Sequence, residues 1–344
     1  MTTRHALVTG ASGFIASHHL VPALLDHDYA VRACGRRPRP DSLAPEVDYR
    51  RVDLVDEPDL APLLDGVTHV FHLAGASSSR SSQEQMQRDN VDATRHLFDA
   101  LAAGGQVERA LVMSTTAVYG EEEELPSPVP EDAQPHPSRG YGKAKWEAEQ
   151  AAWRASDTGL PVFVVRPVSV HGPGAIKLVA SAALDVALER GMGLDRVVVQ
   201  QEPIEQRLVH VDDLVAACLH LMAHPESAGR TFNVASGVYP TSHEVAGILA
   251  RCFDMEVALD DDPDAGPSYE ERRAARSALV AGGMDDSILL TEERLRFLRK
   301  ANRNNRISLE ALESTGFHLR HADPGPAIAT DIDWYRRHHW LPDG

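Results

Sequence analysis

Short apolar runs alternate with longer segments of helical spacing through the first half of the chain. The runs are continuous rather than interrupted by polar residues at every second position, which is typical of strands covered on both faces. They predict strands at 5–9, 30–34, 47–53, 69–73, 110–114 and 162–166. The segments between them predict helices at 14–26, 57–64, 84–103 and 140–156. This regular alternation indicates an α/β protein with a doubly wound parallel sheet and helices on both faces.

The pattern loosens after Pro167. It predicts helices at 176–190, 212–223 and 242–252 and strands at 196–200 and 231–235. Residues 254–306 are rich in charge, and we expect helical segments on a solvated excursion that is either plain surface or a lid. The stretch 121–138 contains four consecutive glutamates and five prolines. It predicts a loop, because prolines remove backbone donors and fix φ.

Length and charge restrict the possible functions. The chain has 344 residues, more than the roughly 250–300 that a single core usually supports, so a second lobe is expected. Lys and Arg number 34 against 51 Asp and Glu, which gives a formal net charge of −17. Such acidity argues against nucleic acid or an anionic membrane as a partner. A small anionic ligand still fits, because a local pocket can be positive on a negative protein.

Cysteine and histidine spacing give no sign of a disulfide framework or a metal centre. The three cysteines, Cys34, Cys218 and Cys252, are far apart, and neither an HxH nor an HExxH pattern occurs. An apolar strand begins almost at once, at Ala6, which leaves no room for a signal peptide. No apolar run reaches the roughly 18 residues of a membrane span. We therefore expect a cytoplasmic protein without a metal.

A glycine-containing turn joins the first strand to the first helix. Gly10 permits a tight turn, and Gly13 lets the backbone approach a pyrophosphate at the helix N-terminus, where free N–H groups and the helix dipole favour anions. Ser12 lies between them in the same turn. The strand before and the helix after are the context that such a turn requires. The sequence therefore predicts a dinucleotide site here, with a tight turn that binds nothing as the alternative.

The end of the second predicted strand bears on which dinucleotide is bound. Proteins that bind NAD usually place an acid there for the ribose 2′-hydroxyl. This chain has Cys34-Gly35 followed by Arg36 and Arg37, whose guanidinium groups suit a 2′-phosphate. We therefore expect NADP in preference to NAD, unless these arginines are only solvated loop charges. Asp53 and Leu54, at the end of the third strand, are placed to meet the adenine.

Tyr141 and Lys145 lie four residues apart, on one face of a predicted helix. A free phenol has a pKa of about 10, too high for a base at neutral pH. A nearby ammonium and the positive nicotinamide of an oxidised cofactor would lower that pKa. Thr115 ends the fifth predicted strand, 26 residues before Tyr141. Its hydroxyl lies where ligands bind in open parallel sheets and is suited to polarise a substrate oxygen.

With turn, hydroxyl and tyrosine–lysine pair in this order, the chain resembles the extended short-chain dehydrogenase/reductase family, the NAD(P)-dependent epimerase/dehydratase group. Segments that match the family are 71–75, 90–91, 166–174, 209–213 and 232–237. The resemblance implies a Rossmann dinucleotide domain at 1–170 with 207–237 returning to it. It also implies an interleaved substrate lobe of α/β structure, made of 171–206 and 238–344.

The same resemblance implies roles for individual residues. The catalytic residues that it implies are Thr115, Tyr141 and Lys145. The cofactor contacts are the residues of the glycine turn and of the ends of the second and third strands, together with Phe14, Ile15, Leu73, Ala74, Gly75, Asn90, Tyr141, Lys145, Pro167 and Val170. The expected substrate residues are Ser77, Thr116, His171 and Arg207. Family members act mostly on nucleotide-activated sugars and usually form dimers, so we expect a nucleotide-sugar substrate and a homodimer.

Two departures from the family pattern refine the expected reaction. Related 4,6-dehydratases carry an Asp-Glu pair after the threonine, where this chain has Thr116 and Ala117, so elimination is disfavoured. Many sugar-nucleotide members carry an arginine where this chain has Gln206, with Arg207 one residue further on; a non-nucleotide ketone therefore stays open. We expect a 4-epimerase, with a net NADPH-dependent ketoreductase or dehydrogenase as the alternative and a non-catalytic dinucleotide sensor as a minor one.

Overall fold

The fold is described from a computed structural model of the chain. It describes residues 4–76, 81–104, 106–120, 125–137, 140–260, 262, 266–291 and 305–342. The predicted substrate residue Ser77 and parts of the loop predicted at 121–138 lie outside these ranges.

All the strands except β7, β9 and β11 follow runs that were predicted from the sequence. They are β1 Arg4–Thr9, β2 Tyr29–Gly35, β3 Asp48–Arg51, β4 His69–His72, β5 Arg109–Met113, β6 Val162–Pro167, β7 Ser169–His171, β8 Arg196–Val199, β9 Leu208–His210, β10 Thr231–Val234 and β11 Glu256–Leu259. Seven of them form one parallel sheet in the order β3-β2-β1-β4-β5-β6-β10. The order reverses direction between β1 and β4, as in a doubly wound sheet, so the predicted fold class is confirmed.

The helices fill the gaps between strands. They are α1 Val21–Asp26, α2 Ala61–Leu64, α3 Gln83–Met86, α4 Ala93–Gly104, α5 Gly140–Ser156, α6 Val179–Gly191, α7 Val211–Ala223, α8 Ser242–Cys252, α9 Tyr269–Ala281, α10 Glu310–Glu313 and α11 Pro324–Arg337. A π-helical segment, Ala16–Leu20, runs into α1, and another, Gln87–Asp92, joins α3 to α4. Among the described residues, no helix is long and apolar enough to cross a membrane.

The chain divides into two compact units. The first contains residues 1–168, 212–234 and 305–318, and the second contains 169–211, 235–304 and 319–344. The boundaries near 168 and 234 lie within a few residues of those expected from the sequence. The segment 305–318, which was expected in the substrate lobe, belongs to the first unit instead. The physical reason is a short parallel bridge, in which the N–H of Val129 donates to Arg306 at 2.7 Å and that of Ser308 donates to Val129 at 2.9 Å.

Strand register aligns the carboxyl ends of three neighbouring strands in the first unit. Thr9 of β1 lies directly beside Cys34 of β2 and His72 of β4. The turn after Thr9 is therefore flanked by the chain leaving β2 and the chain leaving β4. Beneath this edge, one face of the sheet packs against α4 and α5 through a core that includes Leu7, Leu97, Phe98, Val112, Ala152 and Val164.

The second unit has its own core and two small parallel sheets, β7 with β9 and β8 with β11. The charge-rich stretch after residue 254 contributes to this core, which corrects the expectation of a solvated excursion. Leu289 and Leu290 are fully buried, and Arg272 of α9 is paired with Asp185 of α6 at 2.7 Å. The sequence did not reveal these few buried apolar residues, because the average polarity of the stretch resembles that of a solvated surface.

Candidate functional site

The glycine turn is packed so tightly that no side chain fits at its first position. Gly10 has φ +68°, and a Cβ placed on it would lie 2.7 Å from the backbone nitrogen of Ala74. Ala74 is held there because its N–H donates to Thr9 Oγ1 at 3.1 Å. The N–H of Gly13 donates back to Gly10 at 2.9 Å, which closes the turn. The chain leaving β4 is thus pressed against the turn that leaves β1.

A cavity of about 220 Å³ opens beside this turn in the first unit. Ten of the predicted cofactor residues line it: Gly10, Ser12, Gly13, Arg36, Arg37, Asp53, Leu54, Leu73, Ala74 and Gly75. The other predicted cofactor residues, Phe14, Ile15, Asn90, Tyr141, Lys145, Pro167 and Val170, are outside its lining. The cavity therefore joins the glycine turn to the ends of β2, β3 and β4, the region where a doubly wound sheet binds the adenosine half of a dinucleotide.

Gly10→Ala tests how closely the turn is packed. A methyl group would add a clash with Ala74 to the strain of a positive φ, and we expect a loss of about 1–3 kcal/mol in the free energy of unfolding. Gly66→Ala is the matched control, because Gly66 has φ +72° but its Cβ would meet nothing nearer than 3.8 Å. Urea unfolding measures both variants. Equal losses would mean that backbone strain alone matters and that the approach of Ala74 is not tight.

The cavity wall also contains a charged group that the sequence analysis missed. Asp89, in the π-helical segment before α4, is buried and accepts two hydrogen bonds from Arg36, both at 2.8 Å. Arg88 binds Asp53 at 3.1 Å and Asp56 at 2.8 Å. Burial alone would raise the pKa of Asp53, but hydrogen bonds from Val55 and Arg88 outweigh it and lower that pKa. Arg36 thus forms an ion pair with a carboxylate 53 residues away, and no local sequence motif predicts this pairing.

The elements that carry the predicted catalytic residues pack together at the carboxyl end of β5. Lys145 of α5 is buried, and its Nζ donates to the carbonyl of Met113 at 2.7 Å. Thr115 follows that strand and accepts a hydrogen bond from Ala117 at 3.2 Å, and none of the described residues accepts a hydrogen bond from its hydroxyl. Gly142 lets the first turn of α5 abut this segment, since a Cβ there would lie 3.1 Å from the carbonyl carbon of Ala117. The helix turn that carries Tyr141 therefore packs against the turn that carries Thr115.

Burial sets the protonation of the tyrosine and the lysine. The Tyr141 ring packs on a small apolar cluster of Met86, Val91 and Ala144. Burial raises the pKa of Tyr141 to about 12. Burial lowers the pKa of Lys145 to about 8, while the charge of Glu149 opposes that fall. At neutral pH the phenol thus keeps its proton beside a side chain that is mostly an ammonium.

Gly75 and Asn90 close the space next to Lys145. A Cβ on Gly75 would lie 3.4 Å from Lys145 Nζ and would collide with Asn90 Oδ1. Asn90 is fully buried and its amide nitrogen donates to the carbonyls of Met86 and Ala76, at 3.1 and 3.2 Å. Its Oδ1 is a buried acceptor for which the described part of the chain provides no donor. Glycine at position 75 therefore lets the chain leaving β4 pack directly against the unused acceptor of Asn90 and near the Lys145 ammonium.

A buried charge network lies under the catalytic helix. Glu149, one turn after Lys145, accepts hydrogen bonds from Arg166 at 3.0 and 2.7 Å and also from the hydroxyl of Ser114. Arg166 further donates to the hydroxyl of Tyr119 at 3.0 Å. The network ties α5 to the ends of β5 and β6. Only the spacing of Glu149 from Lys145 on the helix could have suggested it.

The predicted substrate residues have different environments. Thr116 is buried in the first unit. Arg207 is half-buried in the second unit. His171, also in the second unit, is buried, and its Nδ1 lies 2.8 Å from Asp331 Oδ2. Their roles, and that of Ser77, stay predictions.

Comparisons with known proteins agree with this geometry. A model of the NAD dependent epimerase/dehydratase family matches residues 6–235. GDP-6-deoxy-D-mannose reductase of Pseudomonas aeruginosa is 30% identical over 284 residues, covering 80% of this chain and 88% of that protein. UDP-glucose 4-epimerase of Vibrio cholerae is 28% identical over 256 residues, covering 72% and 75%. The solved structure of MoeE5 in complex with UDP-glucose and NAD matches with a TM-score of 0.73 and 27% identity, covering 97% of this chain and 99% of that one.

Proposed function

Because the chain belongs to the NAD dependent epimerase/dehydratase family, we propose that it transfers a hydride and a proton at a secondary alcohol or ketone of a nucleotide-activated sugar, as a 4-epimerase. The observation that carries the proposal is that the first turns of α5, which carry Tyr141 and Lys145, pack against the end of β5 and the turn that follows it, in the same unit as the glycine-lined cavity. Sugar nucleotides are the substrates named for the similar reductase and epimerase.

The residues present suit an NAD(P) cofactor. The turn at Gly10 has no room for a side chain, and the cavity beside it is lined by backbone and by arginines that complement phosphate. Gly10, Gly13, Asp53 and Ala74 would hold the dinucleotide. When bound, its nicotinamide supplies or accepts the hydride.

The chain itself moves the proton. Tyr141 carries it at neutral pH, because burial raises its pKa to about 12. Lys145 places positive charge one helical turn away, which stabilises the phenolate that forms when the proton leaves. The Thr115 hydroxyl is free to donate to the substrate oxygen and to polarise it. Neither Thr116 nor Ala117 can act as an acid or base, which supports epimerisation or reduction over elimination.

Net reduction is the second candidate. It is favoured by the 30% identity to GDP-6-deoxy-D-mannose reductase over most of both chains. We also propose that NADP is preferred over NAD, and this preference suits a reductase that releases its cofactor each turn. In support, the β2 end carries Arg36 and Arg37, and no carboxylate of the described residues pairs with Arg37. The homodimer and the cytoplasmic location stay predictions.

One experiment separates these reactions. The purified protein is extracted to identify any bound dinucleotide and is then incubated with a panel of UDP- and GDP-sugars, with and without added NADPH. For an epimerase we expect a new sugar epimer without added cofactor. For a reductase we expect a steady loss of the reduced-nicotinamide absorbance. If the panel yields neither epimer nor cofactor oxidation, the proposed substrate class is wrong.

A further inference from the structure

The Arg36–Asp89 pair forms part of the wall of the cavity. Asp89 has only 6% of its surface exposed and engages Arg36 through both oxygens, whereas the Arg36 side chain is 51% exposed. Arg88 also lies 3.3 Å from Asp89 Oδ1. The pair joins the end of β2 to the π-helical segment before α4. One end of the pair is therefore fixed in the protein interior, and the other faces the cavity.

This pairing changes what Arg36 can do for an anion. A bidentate carboxylate occupies one N–H on each terminal nitrogen of the guanidinium and offsets its charge. With both of its terminal nitrogens bound to Asp89, Arg36 presents less positive charge to a 2′-phosphate. Arg37, also on the cavity wall, has no carboxylate partner among the residues that the structure describes. The two neighbouring arginines are thus electrostatically unequal.

We propose that Asp89 is a specificity-determining residue: by offsetting the charge of Arg36, it lowers the preference for NADP over NAD and leaves Arg37 as the main contact for a 2′-phosphate. The inference rests on the proposed function, because it concerns the cofactor of that reaction. It assigns a role to a residue 53 positions away from the strand end that sequence motifs use to judge cofactor choice. A buried acid in this position would let the chain accept both dinucleotides.

Asp89→Asn tests the proposal, since it removes the charge and keeps the size. NADPH and NADH are titrated separately against the purified protein by calorimetry, without any sugar. We expect the ratio of the NADH to the NADPH dissociation constant to rise about tenfold, as for loss of one close charge. Asp92→Asn is the matched control on the same segment, because Asp92 pairs with Arg95 and does not line the cavity.

A double variant shows whether Asp89 acts through Arg36. In an Arg36→Gln background, adding Asp89→Asn should leave the ratio unchanged. If Asp89→Asn alone lowers the melting temperature without moving the ratio, or weakens NADPH binding selectively, the proposal is overturned. Should Asp89→Asn fail to fold, the same ratio in Arg36→Gln/Asp89→Asn decides: a value close to the wild-type ratio is expected, and a value well below it contradicts the proposal, because Arg36 would then contribute to NADPH binding despite Asp89. If the wild-type protein binds neither nucleotide, the proposed function fails instead.

Discussion

Replacement of Tyr141 by Phe is expected to lower kcat by about 10²- to 10⁴-fold, the usual scale for loss of a general acid or base. The phenol hydroxyl is the group that gives or takes the proton, and the ring itself packs on Met86, Val91 and Ala144. Because Phe keeps that ring, the apolar packing and the dinucleotide cavity should be preserved. The loss should therefore appear in catalysis and not in cofactor affinity.

The measurement pairs steady-state kinetics with a dinucleotide titration of the same preparation. In the direction that oxidises an alcohol, kcat/KM of the wild type should rise with pH, since the phenol must give up its proton; the variant should lose that dependence. Lys143→Met is the matched control, because Lys143 lies on the same helix but its side chain is 48% exposed. An unchanged rate in Tyr141→Phe would exclude this proton path. Dinucleotide binding without turnover in the wild type would favour the non-catalytic sensor.

Glu149→Gln is expected to cost about 3–5 kcal/mol of unfolding free energy, the scale for breaking a buried ion pair by removing one partner. Glu149 is fully buried, and both of its oxygens bind Arg166. The amide keeps the shape but leaves the buried guanidinium without its counter-charge. Urea unfolding measures the loss, and Glu147→Gln, whose side chain is 38% exposed, should change stability by less than about 0.5 kcal/mol.

The same variant should also alter a pH dependence. The charge of Glu149 raises the pKa of Lys145 against the larger effect of burial, which lowers it to about 8. Without that charge, Lys145 loses its proton at a lower pH. If activity falls at alkaline pH because Lys145 loses its proton, this fall should therefore occur at lower pH in the variant. Identical pH profiles in wild type and variant would show that Glu149 does not act on Lys145.

The difference between the pKa of Lys145 in the folded and in the unfolded chain determines how its contribution to stability changes with pH. The pKa of Lys145 in the folded chain, about 8, is below its ordinary value of 10.5. Between these values the unfolded chain holds a proton that the folded chain has lost. The contribution of Lys145 to stability therefore rises as pH increases from about 8 to 10.5. In Glu149→Gln the lower end of this interval should extend to more acidic pH.

Local patterns predicted the parts of the molecule that depend on neighbours in sequence. The helix α5 Gly140–Ser156 and the strands of the main sheet follow from apolar spacing, and the glycine turn is a strand–turn–helix motif. The three-residue strands β7 and β9 were missed, because three residues are too few to show a period. The pairs Arg36–Asp89 and Arg166–Glu149 were missed because contacts across 53 and 17 residues depend on how the sheet is assembled.

The bridge between Val129 and Arg306–Ser308 has a consequence for any attempt to express the nucleotide-binding half alone. A fragment cut after residue 234 would keep the seven-stranded sheet but lose the partner chain of Val129, whose backbone N–H and C=O both bind the returning segment. Val129 is almost fully buried, and so is Ile307 opposite it. Truncation there would expose the Val129 side chain to solvent and leave its backbone N–H and C=O without their hydrogen-bond partners. A nucleotide-binding fragment that folds on its own must therefore include residues 305–318, although they are distant in sequence from the rest of the fragment.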